Sequence, residues 1–214
     1  MALIVLTLIY YLILLILLIY SLAQKFKGIN NDFLYIFLAV NSSVEGFIFY
    51  NGFFLKNNVI GVYFLLDILN IIYTYFYFVI HFKKQNYLYL ILSVLAVLIL
   101  NDYKISEYTD TCALVSCFYV IISCLAGFYY IIEKVSYSGK KIYDIPFFWF
   151  GIAMLLWNVM FLFRTIPRFY FQNTDENFME SLRVFFAVIN IITYLLFFNL
   201  LLKYQKYADH IIFR

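Results

Sequence analysis

Glu45 and Asp67 are two carboxylates set inside long apolar runs, and Arg164 and Arg183 are arginines close to the ends of two others. An ionisable side chain in hydrocarbon costs at least about 2.5 to 3.5 kcal/mol, so each of these residues implies a function or a structural partner. At helical spacing Asn41 lies one turn before Glu45, with Ser42 beside it. Tyr63, Asn70 and Thr74 share a face with Asp67; Trp157 and Arg164 share another, and Arg183, Asn190 and Tyr194 a further one. Carboxylates, arginines and amides on facing helices could bind a small polar solute, carry a proton or cation, or tie helices together at about 0.6 to 2 kcal/mol per bridge. A long arginine side chain from either helix is expected to reach Asp67 as a charge-assisted pair. Glu45 is expected about half a membrane deeper, hydrogen-bonded to Asn or Tyr instead of paired with an arginine.

Other chemistries find little support. His81 and His210 are the two histidines, and neither belongs to an HxxxH or HExxH pattern, so no metal site is expected. No GxSxG elbow occurs, and no lysine falls within a span to form a retinal Schiff base. Cys112, Cys117 and Cys124 sit in one apolar segment without CxxC spacing and read as buried free thiols. The net charge of +3 comes from short basic clusters, not from a stripe that could follow phosphates, which argues against nucleic acid. No cofactor is expected, and the chain does not read as an enzyme.

The elements that must position these residues follow from composition. Of 214 residues, 66% are hydrophobic and 13% charged, and the mean hydropathy is +0.90. A soluble domain of this size could not hide so much apolar surface. The fold class is therefore all-α, a polytopic transmembrane bundle of about seven spans in a single domain. The spans fall at about 2–22, 33–55, 58–80, 86–101, 112–132, 146–166 and 180–202, followed by a short tail over 203–214. The fourth is the shortest.

Lys25, Lys27, Lys83, Lys84, Lys134, Lys140, Lys141, Lys203, Lys206 and Arg214 fall on one side of that layout. Lys56, Lys104, Arg164, Arg168 and Arg183 fall on the other. The positive-inside rule then predicts an outside N-terminus and a cytoplasmic C-terminus. Pro146 suits the start of the sixth helix and Pro167 its end, and Thr174 with Asp175 and Glu176 suits a cap on the seventh.

Asn190-Ile191-Ile192-Thr193-Tyr194 is superficially similar to the seventh-helix motif of G-protein-coupled receptors but lacks its proline. Asn30-Asn31-Asp32-Phe33-Leu34-Tyr35 before an acid in helix two, and Lys140-Lys141 leading to Ile145-Pro146-Phe147-Phe148-Trp149, give a different likeness. In this layout the chain resembles small bacterial seven-helix integral membrane proteins without an established activity. The resemblance implies the fold and a bacterial cytoplasmic membrane, and no reaction.

The expected function is a receptor-like or sensory membrane module. Its outward-facing polar pocket would be built from Glu45, Asn41, Asp67, Asn70, Tyr63, Arg164, Arg183, Asn190 and Trp157. The partners are the lipid bilayer and a separate cytoplasmic or membrane protein. The alternatives are a transporter or channel for a small solute, proton or cation, and a structural subunit of a membrane complex.

Overall fold

The computed structural model of the protein describes residues 2–51, 63–82, 87–102, 110–138, 141–171 and 175–212. Lys56, Lys83, Lys84, Lys104, Lys140, Thr174 and Arg214 lie outside the described residues, as do the side chains of Tyr63, Cys112, Lys134, Arg168 and His210.

The described residues form seven α-helices and no strand. These are α1 (Ala2–Phe26), α2 (Leu34–Tyr50), α3 (Tyr63–Phe82), α4 (Tyr87–Asp102), α5 (Asp110–Ser138), α6 (Pro146–Phe171) and α7 (Glu176–Ile212). A single 3-10 turn, Ile142–Asp144, leads into α6. Five of the helices, all but α2 and α4, are long and apolar enough to cross a membrane, and those two are shorter apolar helices.

The packing follows from which face of each helix is polar. In α1 the side chains of Ile4, Leu8, Leu12, Leu15 and Ile19 form an exposed apolar stripe, while Tyr10, Leu14, Leu17, Ser21 and Gln24 are buried on the opposite face. Outward apolar and inward polar faces are what a hydrocarbon surround selects. Helix α1 packs on α7 and α2, α2 on α3, α3 on α5, α5 on α6 and α6 on α7, which closes a ring of six helices. Helix α4 lies outside that ring, against α3 and α5.

Across the middle of the ring lies an aromatic layer. The rings of Phe37 and Tyr73 stack with centroids 4.6 Å apart, and those of Tyr77 and Phe150 at 4.0 Å. Phe147 and Phe197 complete the layer, and both are fully buried.

The described part of α2 runs to Tyr50, and the end expected at residue 55 lies outside the described residues. Two boundaries differ from the sequence reading, the C-terminal ends of α6 and α7. Helix α6 runs through Pro167 to Phe171, because proline's fixed φ suits a helix and the loss is one backbone bond near the end of a long one. Helix α7 starts at Glu176, where the Asp175 side chain accepts a 2.9 Å bond from the Phe178 amide, and continues for 37 residues to Ile212. The expected tail is therefore mostly a continuation of α7, and its first turns persist because Leu200, Leu201 and Tyr204 are buried against the bundle.

Helices α5 and α6 approach closely at two glycines. A Cβ on Gly127 would overlap the ring of Phe147, which is 1% exposed and has nowhere to move, and one on Gly151 would stand 2.8 Å from Phe128 Cζ. A Cβ on Gly46 of α2 meets nothing within 4 Å. Gly127→Ala is therefore expected to destabilise the protein by about 1 to 3 kcal/mol. Gly46→Ala should be neutral or stabilising by up to about 1 kcal/mol, because alanine is the better helix former. Thermal unfolding of the two variants in detergent measures both signs.

Candidate functional site

A cavity of about 450 Å³ occupies the end of the ring that holds the α1 N-terminus. Among the described residues, all six ring helices contribute to its wall and α4 does not. The cavity extends from the exposed Arg183 down to Phe37, Met154 and Phe197 on the aromatic layer. Its size falls within the range of about 300 to 1,000 Å³ that small-molecule sites occupy.

Asn41, Glu45, Asp67, Asn70, Trp157, Arg164, Arg183 and Asn190 all line this cavity. They are the predicted site residues except Tyr63, whose side chain lies outside the described residues. Thr74 belongs to the same α3 face but falls in the buried core below, and its hydroxyl has no hydrogen-bond partner among the described residues.

Several of the wall groups are held by neighbours. Trp157 Nε1 donates a 2.9 Å bond to Asn190 Oδ1, and its ring stacks on Phe161 with centroids 5.4 Å apart. Asn41 Nδ2 donates to the Tyr194 hydroxyl at 2.5 Å. The Arg164 guanidinium lies over the Phe186 ring, 4.8 Å from its centroid, a cation–π contact that fixes its direction. Asp67 is 7% exposed, and its backbone carbonyl accepts a 3.1 Å bond from Ser116. By contrast Thr193, 3% exposed on the cavity wall, has a hydroxyl with no partner among the described residues.

Glu45 accepts a 3.4 Å bond from the Tyr11 hydroxyl, and Tyr10 lines the cavity beside Tyr11. The partner of this carboxylate is a tyrosine, as expected, and among the described residues no arginine is in salt-bridge contact with it; Arg164 lies within electrostatic range.

A second polar cluster, at the opposite end of the ring, was not singled out from the sequence. The α1–α2 connection carries Asp32 and Phe33 at φ 48° and 61°, a left-handed conformation unusual for these residues. Asn31 Nδ2 anchors the connection by donating to the backbone oxygen and the hydroxyl of Ser21, both at 3.0 Å. The turn directs the Asp32 carboxylate to His81 Nε2 at 3.0 Å and the Tyr204 hydroxyl at 2.5 Å, and the Tyr77 hydroxyl meets that of Tyr204 at 2.6 Å. One carboxylate thus joins the first connection to α3 and α7. Gln24 adds a 2.8 Å bond to the Leu201 carbonyl, and Tyr20 bonds Gln205. The signal in the sequence was Tyr73, Tyr77 and His81 at intervals of four on α3, but the distant Asp32 and Tyr204 share no spacing with them.

No protein-family model, curated protein or solved structure matches this chain.

Burial pushes the Asp32 carboxyl up, but the bonds from His81 and Tyr204 and the charge of His81 outweigh it and hold the group below the ordinary carboxylate value. Because the folded-state group titrates below the unfolded one, its contribution to stability is complete above pH about 4 and is lost as the pH falls from there through the folded value. Asp32→Asn should cost about 1.5 to 3 kcal/mol at neutral pH. The gap in unfolding midpoint between wild type and variant should narrow on acidification below pH about 4, which a pH series of thermal melts measures.

Proposed function

We propose that this protein is a receptor-like membrane module that binds a small polar solute in the six-helix cavity and passes the occupancy along α7 to a separate protein partner. The observation that carries this is convergence: charged and amide side chains from α2, α3, α6 and α7 line one cavity. Helix α7 supports the second half. It supplies Arg183, Asn190, Thr193 and Tyr194 to the cavity and Tyr204 to the Asp32 cluster, ~15 Å further along by the rise from Tyr194. A solute that binds one placement of α7 more tightly than another shifts the population at its far end.

We also propose seven crossings, with the cavity facing outward and the Asp32 end in the cytoplasm, in a bacterial cytoplasmic membrane. Lys25, Lys27, Lys141, Lys203 and Lys206 all belong to helix ends or connections at the Asp32 end, which is the positive-inside pattern. A fluorescent protein fused to the C-terminus should fluoresce in a bacterial host, and an alkaline phosphatase fused there should be inactive; the reverse would invert the topology.

The runner-up is transport of a proton or cation by Glu45 and Asp67, which their depth favours. The filled aromatic layer of Phe37, Tyr73, Tyr77 and Phe150 beneath the cavity weighs against it. Uptake into proteoliposomes that Glu45→Gln abolishes would establish transport.

For the binding reading, a thermal-shift screen of small polar solutes on the protein in nanodiscs should find compounds that raise the unfolding midpoint. Ala187→Phe, which fills the cavity from α7, should lose that response while remaining folded. If no solute shifts the wild type, the polar wall groups serve helix packing alone.

A further inference from the structure

We propose that the corner where the 3-10 turn before α6 meets α7 binds the phosphate of an anionic phospholipid, held by Lys141, Lys203 and Lys206 around Tyr143 and Asp144. This corner belongs to the Asp32 end of the ring and does not depend on what the cavity binds.

The three lysines come from two chain segments, Lys141 from the start of the turn and Lys203 and Lys206 from α7, three residues apart and so on one face. Folding brings them to one place. Lys203 Nζ lies 5.4 Å from the Tyr143 ring centroid and Lys141 Nζ 5.7 Å from it. Lys203 also donates a 3.0 Å bond to Asp144 Oδ1. That bond first, and then the charges of Lys203, Lys206 and Lys141, hold the Asp144 carboxyl below the ordinary carboxylate value, so all three ammonium groups act on this one acid. Three cations gathered on one carboxylate repel one another, and a further negative charge among them relieves that repulsion. Lys141 and Lys206 are both exposed and so are open to a partner from outside the bundle.

The corner stands at the level of lipid headgroups. Lys203 directly follows the apolar run of α7 that closes at Leu202, and Pro146 opens the apolar run of α6. Ile142 and Tyr143 are exposed on the turn between them, and Trp149 Nε1 donates a 2.8 Å bond to the Tyr143 carbonyl. Tyrosine and tryptophan beside lysines are what a membrane–water boundary selects, and basic pockets between helix ends are where acidic headgroups are held. A phosphodiester here would meet ammonium groups at its oxygens and the apolar Ile142 and Tyr143 side chains beside its glycerol. Choline would add a fourth cation to the same corner, so a zwitterionic lipid fits less well. A headgroup spanning Lys141 and Lys206 would also fasten the turn before α6 to the far end of α7.

The test uses the purified full chain in nanodiscs of mixed phosphatidylcholine and phosphatidylglycerol, with the lipids retained by the protein counted by native mass spectrometry after release. Wild type should retain phosphatidylglycerol over phosphatidylcholine by about fivefold or more relative to their shares in the bilayer. Lys141→Gln combined with Lys206→Gln, which leaves the Lys203–Asp144 pair intact, should abolish that preference. Lys25→Gln combined with Lys27→Gln removes equal charge from the α1–α2 side, where Lys25 lies over Tyr35, and should keep it. Equal loss in both double variants would assign the preference to diffuse surface charge and overturn the site, as would equal retention of the two lipids by wild type. Displacement of phosphatidylglycerol by millimolar inorganic phosphate would overturn the lipid as the source of the anion. Should the first double variant fail to fold, the two single variants should each lose part of the preference, and full retention in both would overturn the site.

Discussion

Polar side chains on apolar helices can only be placed where another helix, or a bound group, answers them, because nothing in a hydrocarbon surround can replace the lost water. The arrangement of this bundle follows from that constraint. The outer surface of α1 is an uninterrupted apolar stripe, and the polar faces of α2, α3, α6 and α7 all turn to the interior of one ring. Helix α4 has the least to hide, and it is the helix left outside.

The two ends of the ring satisfy the constraint in different ways. At the Asp32 end a single carboxylate gathers His81 and Tyr204, with Tyr77 behind them, into a closed set of bonds between three chain segments. At the other end two acids and two arginines surround open volume, held by Tyr11, by Phe186 and by one another's fields. The first arrangement fixes geometry. The second encloses the Thr193 hydroxyl, which has no partner among the described residues. Helix α7 is part of both, so a change in its placement at the cavity has to be accommodated at Tyr204 and Lys203, whose ammonium also pairs with Asp144 at 3.0 Å.

The helical class, the seven apolar segments and the set of polar residues that face inward were legible in the sequence. Each depends on local quantities: the length of an apolar run, the cost of a charge within it, and the 3.6-residue period that puts Asn41 beside Glu45 or Asn70 beside Asp67. The ends of helices were less so. The persistence of α7 to Ile212 is owed to neighbours, since Tyr204 is buried against the bundle, and α6 runs through Pro167 because the loss there is one backbone bond near the end of a long helix.

What only the tertiary structure decided is which inward faces meet. Periodicity assigns a residue to a face of its own helix but says nothing of the neighbour across from it. The closing of α1 on α7 therefore put Tyr10 and Tyr11 around Glu45 without any spacing to announce it. The same holds for Asp32, which two left-handed residues in a short connection turn toward a histidine 49 positions away and a tyrosine 172 positions away. Sequence by itself determined that polar groups must be buried and partnered, because that cost is local. Their partners were chosen by packing, because contact between distant helices depends on the whole ring closing at once.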